Sequence, residues 1–256
     1  MQRTATTLVI IPTYNERENI ESIVDRTLGS APAADVLIVD DGSPDGTGDL
    51  ADDLARADER IHVMHRREKG GLGAAYIAGF SWGRARGYEL LVEMDADGSH
   101  PPERLPALLA AVLADPTGRV GGAIGSRWVT GGSVVNWPLL RRAISRSGSW
   151  YARVMLGVPV RDVTAGYRVY RSDLLTEMKL DDVDSRGYCF QIDLTRRAYA
   201  AGRVLVEVPI EFREREFGES KMSGRIVVEA MIRVTQWGLA RLVSRRGREL
   251  SPSSRH

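Results

Sequence analysis

Five short apolar runs alternate with four helix-patterned stretches along the first half of the chain, and no other feature restricts the fold as strongly. The runs are Leu8–Ile11, Val36–Val39, Ile61–Met64, Leu90–Met94 and Val120–Ile124. Each has the length of a strand and is too short for a core helix. Between them, about residues 16–29, 46–58, 73–86 and 103–114 carry helical patterning, the last opened by Pro102 and Glu103. Strands joined through helices run parallel, because the connection must travel back along the sheet. The expected fold class is α/β: a mainly parallel sheet flanked by helices on both faces. Ligands of such sheets bind outside the carboxyl ends of the strands. Four of the five runs end there in polar motifs: Pro12-Thr13-Tyr14-Asn15-Glu16, Asp40-Asp41-Gly42-Ser43, Asp95-Ala96-Asp97 and Gly125-Ser126-Arg127. Together they define one candidate site.

Asp95 and Asp97 say most about chemistry. In an extended strand, residues spaced i, i+2 share a face. At a strand end two such carboxylates can hold a hard divalent cation and leave its other positions to phosphate oxygens. That arrangement suits a transferase acting on nucleotide sugars. A solvated acidic turn is the competing reading, since Asp, Gly and Pro are ordinary turn residues. No Cys/His cluster stands in the sequence, which argues against zinc.

Composition narrows the partners. The 256 residues are 43% hydrophobic and 27% charged, enough for one soluble domain with a sizeable core. Net charge is +1, so nothing points to nucleic acid. A single cysteine, Cys189, leaves no internal disulfide and fits a reducing compartment. The strand pattern starts at Thr7, so no signal peptide is expected. No apolar run approaches the roughly 18 residues of a membrane span.

The ordered set of motifs resembles the polyprenol-phosphate (dolichol-phosphate) mannosyltransferases, inverting family 2 glycosyltransferases of the GT-A fold. The strings that carry the resemblance are Pro-Thr-Tyr-Asn-Glu-Arg-Glu-Asn-Ile at 12–20, Asp-Asp-Gly-Ser-Pro-Asp-Gly-Thr at 40–47 and Gly-Leu-Gly-Ala-Ala-Tyr at 71–76. They continue with Met-Asp-Ala-Asp-Gly-Ser-His-Pro-Pro-Glu at 94–103, Gly-Ser-Arg at 125–127 and Gly-Tyr-Cys-Phe-Gln at 187–191. Val-Pro-Ile-Glu-Phe and Arg-Glu-Phe-Gly-Glu-Ser-Lys-Met complete the set within 208–222. Thr164-Ala165-Gly166-Tyr167-Arg168 departs mildly from the family's usual string.

The resemblance implies roles residue by residue. Pro12, Tyr14, Glu16, Val39 and Asp41 would line the donor's nucleoside, with Asn15 and Glu16 read equally well as caps of the following helix. Asp95, Ala96 and Asp97 would meet the diphosphate through Mg2+ or Mn2+, with Asp97 as principal ligand and Asp95 and Ser99 assisting. Arg127, Arg215 and Lys221 would contact the donor diphosphate or the transfer centre, and Asp97, Arg127 and Arg215 would be the catalytic residues. Arg141, Ser99 and Gln191 would serve the acceptor, with Asp193 nearby. Lys69-Gly70-Gly71-Leu72-Gly73 matches neither phosphate-loop nor dinucleotide spacing and reads better as an entry to the next helix.

The second half carries the rest of the expectation. Residues 1–127 would form the nucleotide half and 128–245 the acceptor half of one domain, with 246–256 a disordered basic tail. The apolar stretch Val134–Leu140 beside Arg141 suits either a core helix or a lipid phosphate. Val204–Phe212 reads as one strand, with Pro209 marking a sheet edge or strand end. A helix at 223–245 places Arg225, Glu229 and Arg233 on one face and Ile226, Val227, Ala230, Met231 and Val234 on the other. Trp237, Leu239, Leu242 and Val243, beside an arginine-rich end, could lie on an anionic membrane or in the core. The reading is mannose transfer from GDP-mannose to a polyprenyl (dolichyl) phosphate with inversion. It is placed peripherally on the cytoplasmic face of a membrane, with a separate membrane-anchoring protein as one means of attachment. The rivals are a UDP-glucose-dependent transferase of the same fold, a processive polysaccharide synthase and a non-catalytic nucleotide-sugar-binding subunit. The synthase is disfavoured because Gln236-Trp237 lacks the usual Gln-x-x-Arg-Trp spacing.

Overall fold

Strict alternation along the central strands is what sets two helical layers on one sheet. The structure is a computed structural model that describes residues 5–67, 70–180, 183, 188–214 and 224–249, with side chains of the last segment described for 228–243. A seven-stranded sheet is formed by β1 (Thr7–Thr13), β2 (Ala34–Asp40), β3 (Ile61–His65), β4 (Leu90–Glu93), β5 (Val120–Ser126), β7 (Arg168–Arg171) and β8 (Val204–Pro209). Its order is β3-β2-β1-β4-β7-β5-β8. A small second sheet pairs β6 (Ser133–Val135) with β9 (Glu211–Arg213) in parallel.

In β1, Leu8 and Ile10 face one core and Val9 and Ile11 the other; β2 does the same with Leu37 and Val39 against Val36 and Ile38. One layer holds α1 (Ile20–Ser30), α2 (Thr47–Ala57) and α4 (Leu105–Leu113). The opposite layer holds α3 (Leu72–Ala85), α5 (Leu139–Leu156), α6 (Ser172–Glu177), α7 (Tyr188–Ala200) and α8 (Gly224–Glu249). Helix α3 lies close on the sheet through Gly79 and Gly83, where a Cβ would come within 2.6 Å of Ile10 and of Leu91.

All five expected strands form, and β1, β2, β3 and β4 pair in parallel. The sheet departs from the parallel pattern at β7, which runs antiparallel between β4 and β5. Its sequence, Arg-Val-Tyr-Arg, hides a central strand behind two arginines. Arg168 is nonetheless fully buried, its guanidinium donating to Ala165 O, Val163 O, Gln191 O, Tyr170 Oη and Thr195 Oγ1. One sheet is thus built from both halves of the chain.

Three further expectations change. The single strand Val204–Phe212 is two: β8 ends at Pro209 on the sheet edge, and β9 pairs with β6 instead. Ile210 makes the switch, its N–H donating to Ser126 O while its carbonyl accepts from Ser133 N–H. The stretch Val134–Leu140 is neither one helix nor core, since it runs from β6 into α5 and leaves Leu139 and Leu140 exposed. Helix α8 continues to Glu249, four residues into the expected tail, and residues 250–256 lie outside the described residues.

Candidate active site

Strands β1, β2, β4 and β5 all point their carboxyl ends at one edge, so the polar motifs expected there do converge. Neighbours diverge at β1, with β2 on one side and β4 on the other. That reversal opens the crevice in which open α/β sheets bind ligands.

The loops after β1 and β2 are laced together. Asp40 is buried; its carboxylate accepts from Thr13 Oγ1 (3.0 Å), Ser43 N–H (3.0 Å) and Ser43 Oγ. Asn15 N–H donates to Ser43 Oγ and Glu16 N–H to Thr47 Oγ1. Asn15 adopts φ 59°, the left-handed region that asparagine tolerates. Helix α1 starts later than expected, at Ile20, and the Glu16 carbonyl accepts from Asn19 and Ile20 N–H. Pro12, Tyr14 and Glu16 border this loop, and Val39 is buried beneath it. Asp41 turns the other way: Arg66 Nη1 (2.7 Å) and Gly70 N–H (3.1 Å) both donate to its carboxylate.

Beyond β4, Asp95 and Asp97 differ in their surroundings. Tyr76 Oη donates to Asp95 Oδ1 at 2.9 Å. The Asp95 N–H donates to His100 Nδ1 at 3.0 Å, so the ring proton belongs on Nε2, which stands 3.9 Å from Asp95 Oδ2. His100 is buried and stacks on Tyr167, with centroids 5.2 Å apart and planes at 15°. Burial, with Asp95 and Glu93 alongside, pushes the Tyr76 phenol well above its ordinary value and keeps it a donor. Asp97 Oδ1 accepts from Ser99 N–H at 3.1 Å, and Ser99 itself is buried. Asp97 also lines a cavity of about 640 Å³ with Ala96, Gly98, Asn19, Arg104 and Arg213. Among the described residues, the expected donor residues Pro12, Tyr14, Glu16, Val39, Asp41, Asp95 and Arg127 are not in its lining.

One turn deeper, Glu93 is fully buried, and burial raises its carboxyl to about 8 against the opposing pull of Arg168. Gln191 Nε2 donates to Glu93 Oε2 at 2.9 Å. Gln191 is therefore buried beneath the strand end, with its amide nitrogen on Glu93. Asp193 is likewise buried and paired with Arg196 and Arg197.

Arg127 is paired within the chain. Its side chain is buried and bidentate on Asp162, Nε to Oδ2 at 2.7 Å and Nη2 to Oδ1 at 2.6 Å. Trp128, Trp137 and Phe212 ring its guanidinium at 5.4–5.6 Å. Arg141 stands over Trp137 at 4.2 Å and is ion-paired with Glu214. The remaining expected donor residues, Arg215 and Lys221, lie outside the described residues. Sequence reasoning missed Tyr76, His100, Glu93 and Asp162 as members of this site. Tyr76 and His100 do fall inside quoted motifs, which was the available signal.

Residues 8–178 match the family described as Glycosyl transferase family 2. The chain belongs to that family. A polyprenol monophosphomannose synthase from Mycolicibacterium smegmatis is 59% identical over 237 residues, 92% of this chain and 88% of that protein. An undecaprenyl-phosphate mannosyltransferase from Micrococcus luteus is 57% identical over 233 residues, 91% of this chain and 94% of that protein. Among solved structures, a glucosyl-3-phosphoglycerate synthase from Mycobacterium tuberculosis in complex with uridine-diphosphate superposes with a TM-score of 0.66 at 18% identity, covering 91% of this chain and 80% of that one. A mannosyltransferase from Pyrobaculum calidifontis in complex with GDP-Man and Mn2+ gives 0.57 at 19% identity, covering 95% and 65%. These structures establish a shared fold.

This family 2 glycosyl transferase also carries an exposed apolar surface. Among the described residues thirteen large apolar side chains are exposed, and eleven stand on α5 or α8. They include Leu139, Leu140, Trp150, Leu239, Leu242 and Val243. The two helices pack on each other, and α5 carries Arg141, Arg142, Arg146 and Arg153 with no acidic residue. On α8, Ala230 and Val234 are buried as expected and Trp237 packs inward under Arg196, but Met231 is exposed; the side chains of Ile226 and Val227 lie outside the described residues. No helix among the described residues is long and apolar enough to cross a membrane.

Proposed function

We propose that the enzyme transfers mannose from GDP-mannose to a polyprenyl monophosphate, giving β-mannosyl phosphoryl polyprenol and GDP. The observation that carries this reading is the 57–59% identity, over more than nine-tenths of the chain, to two proteins named for mannosyl transfer to polyprenyl phosphates. The strand-end carboxylates supply the chemistry such a reaction needs. Pro12, Tyr14, Glu16, Val39 and Asp41 would receive the nucleoside at the sheet reversal. Asp41 would exchange Arg66 for the base.

A divalent cation fits the residues present. The set is oxygen-only, and Asp95, Asp97 and Ser99 stand at one strand end. No group of three or more His, Cys, Asp or Glu among the described residues could enclose a metal alone. A magnesium- or manganese-like ion that borrows ligands from the donor's phosphates matches that shortfall. When bound, it stabilises the negative charge of the departing diphosphate.

The chain's own residues do the rest. The acceptor phosphate has a second pKa near 6, so it is mostly dianionic at neutral pH and needs no general base. Arg141, released from Glu214, would take that phosphate. Arg127, locked by Asp162, would contribute fixed positive charge beside the transfer centre rather than a mobile fork. Arg215 and Lys221 are proposed as further donor contacts. In-line positioning of two held reactants supplies the rate and inverts the anomeric centre. The face of α5 and α8 would rest on the cytoplasmic surface of an anionic membrane, where the acceptor's phosphate is presented.

Donor competition with Asp97→Ala as control tests the reading. GDP-mannose should outcompete UDP-glucose for transfer, and Asp97→Ala should lower turnover at least about a thousandfold, the scale of several kcal/mol of lost charge stabilisation. Preference for UDP-glucose would replace the sugar; full activity of Asp97→Ala would remove the site.

A further inference from the structure

The motif Gly71-Leu72-Gly73-Ala74-Ala75-Tyr76 lacks phosphate-loop spacing, yet its last residue reaches the proposed metal site. We propose that Tyr76 is a positioning residue for the divalent cation: its phenol holds the Asp95 carboxylate in the orientation in which the cation is bound. The inference rests on the metal reading given above.

The geometry is over-determined around the ring. Tyr76 is fully buried on α3 and stacks on Phe190, with centroids 6.4 Å apart and planes at 8°, and on Phe80 at 6.3 Å and 23°. Phe190 is itself pressed against α3, because a Cβ at Gly73 would stand 3.0 Å from its ring. Glycine at 73 thus lets α7 approach until the two rings stack. With the ring clamped, the hydroxyl has one place to go, and it donates to Asp95 Oδ1 at 2.9 Å.

Asp95 is the partner that benefits. Its side chain keeps 30% exposure, so it is open to a ligand as well as held from behind. His100 fixes its backbone N–H, and Tyr76 fixes its carboxylate. Donors that orient a ligating carboxylate in this way typically contribute 10- to 100-fold in metal affinity. A carboxylate free to rotate would instead lose that freedom on binding the ion. The Gly-Leu-Gly-Ala-Ala-Tyr motif is then explained without any phosphate contact.

Tyr76→Phe tests this, because it keeps the stacked ring and removes only the hydroxyl. Mn2+ binding to the enzyme–GDP complex is read from loss of the free Mn2+ spin-resonance signal, and GDP binding without metal from calorimetry. We expect Mn2+ affinity to fall 10- to 100-fold, GDP affinity without metal to stay unchanged, and turnover to return at high Mn2+. Mn2+ affinity within threefold of the unsubstituted enzyme would overturn the proposal while leaving the metal reading intact. Failure of the unsubstituted enzyme–GDP complex to bind Mn2+ would overturn both. If Tyr76→Phe does not fold, Phe190→Leu keeps the hydroxyl but loosens the ring behind it. Its Mn2+ affinity should fall by a smaller factor, and an unchanged value would count against the brace.

Discussion

Glu93→Gln should make this protein more stable as pH rises, and the size of the gain follows from where Glu93 sits. The side chain is fully buried, and burial raises its carboxyl from 4.5 to about 8. In the unfolded chain the group ionises near 4.5; in the folded protein it stays neutral until about 8. A raised folded-state value means the stabilising contribution is complete below 4.5 and is lost as pH climbs toward 8. Inside that window the loss approaches about 1.4 kcal/mol per pH unit. Between pH 5 and pH 7 it amounts to about 2.5 kcal/mol. Glutamine has nearly the same shape, can still meet Gln191, and never ionises, so the variant escapes the loss. At roughly 2–4 °C per kcal/mol for a chain of this size, the Tm of Glu93→Gln relative to the parent should grow by about 5–10 °C from pH 5 to pH 7. Differential scanning calorimetry of both proteins across that range is the assay. A Tm difference that stays flat with pH would show that Glu93 titrates normally, and the account of a neutral acid under the strand end would fail.

Two other outcomes follow from the same geometry. Glu214→Gln should free Arg141 and lower the KM for a short polyprenyl phosphate about two- to fivefold with kcat little changed, the scale of a half-exposed ion pair; an unchanged or raised KM in steady-state kinetics would contradict it. Leu139→Glu with Leu140→Glu should lower flotation with anionic liposomes at least tenfold, since each leucine loses about 1.5–3 kcal/mol of burial and gains a repelled charge. Equal flotation of variant and parent would move the membrane contact elsewhere.

The parallel core was legible because its strands are apolar, short and separated by helical patterning, which leaves few topologies. Their polar ends then had to share an edge. Strand β7 was not legible, because Arg168 and Arg171 break the apolar run, and only tertiary hydrogen bonds make a buried arginine tolerable there. The site splits the same way. Asp95 and Asp97 are singled out by their i, i+2 spacing at a strand end, and the ordered motifs around them favour that reading over an acidic turn. The partners that decide how each charged group is used are distant in sequence: Asp162 for Arg127, Glu214 for Arg141, Glu93 for Gln191. Such pairings leave no local pattern, so the hydrogen bond from the Gln191 amide to buried Glu93 could not be read from the sequence. The break of Val204–Phe212 into two strands was signalled only by Pro209, which suggested an end without saying where the chain goes next.

The central claim concerns the product. Purified enzyme, labelled GDP-mannose, a short polyprenyl phosphate and Mn2+ should yield label in the organic phase, released as mannose by mild acid and β-configured by NMR. Label that stays in the aqueous phase under these conditions, or an α-linked product, would contradict the account.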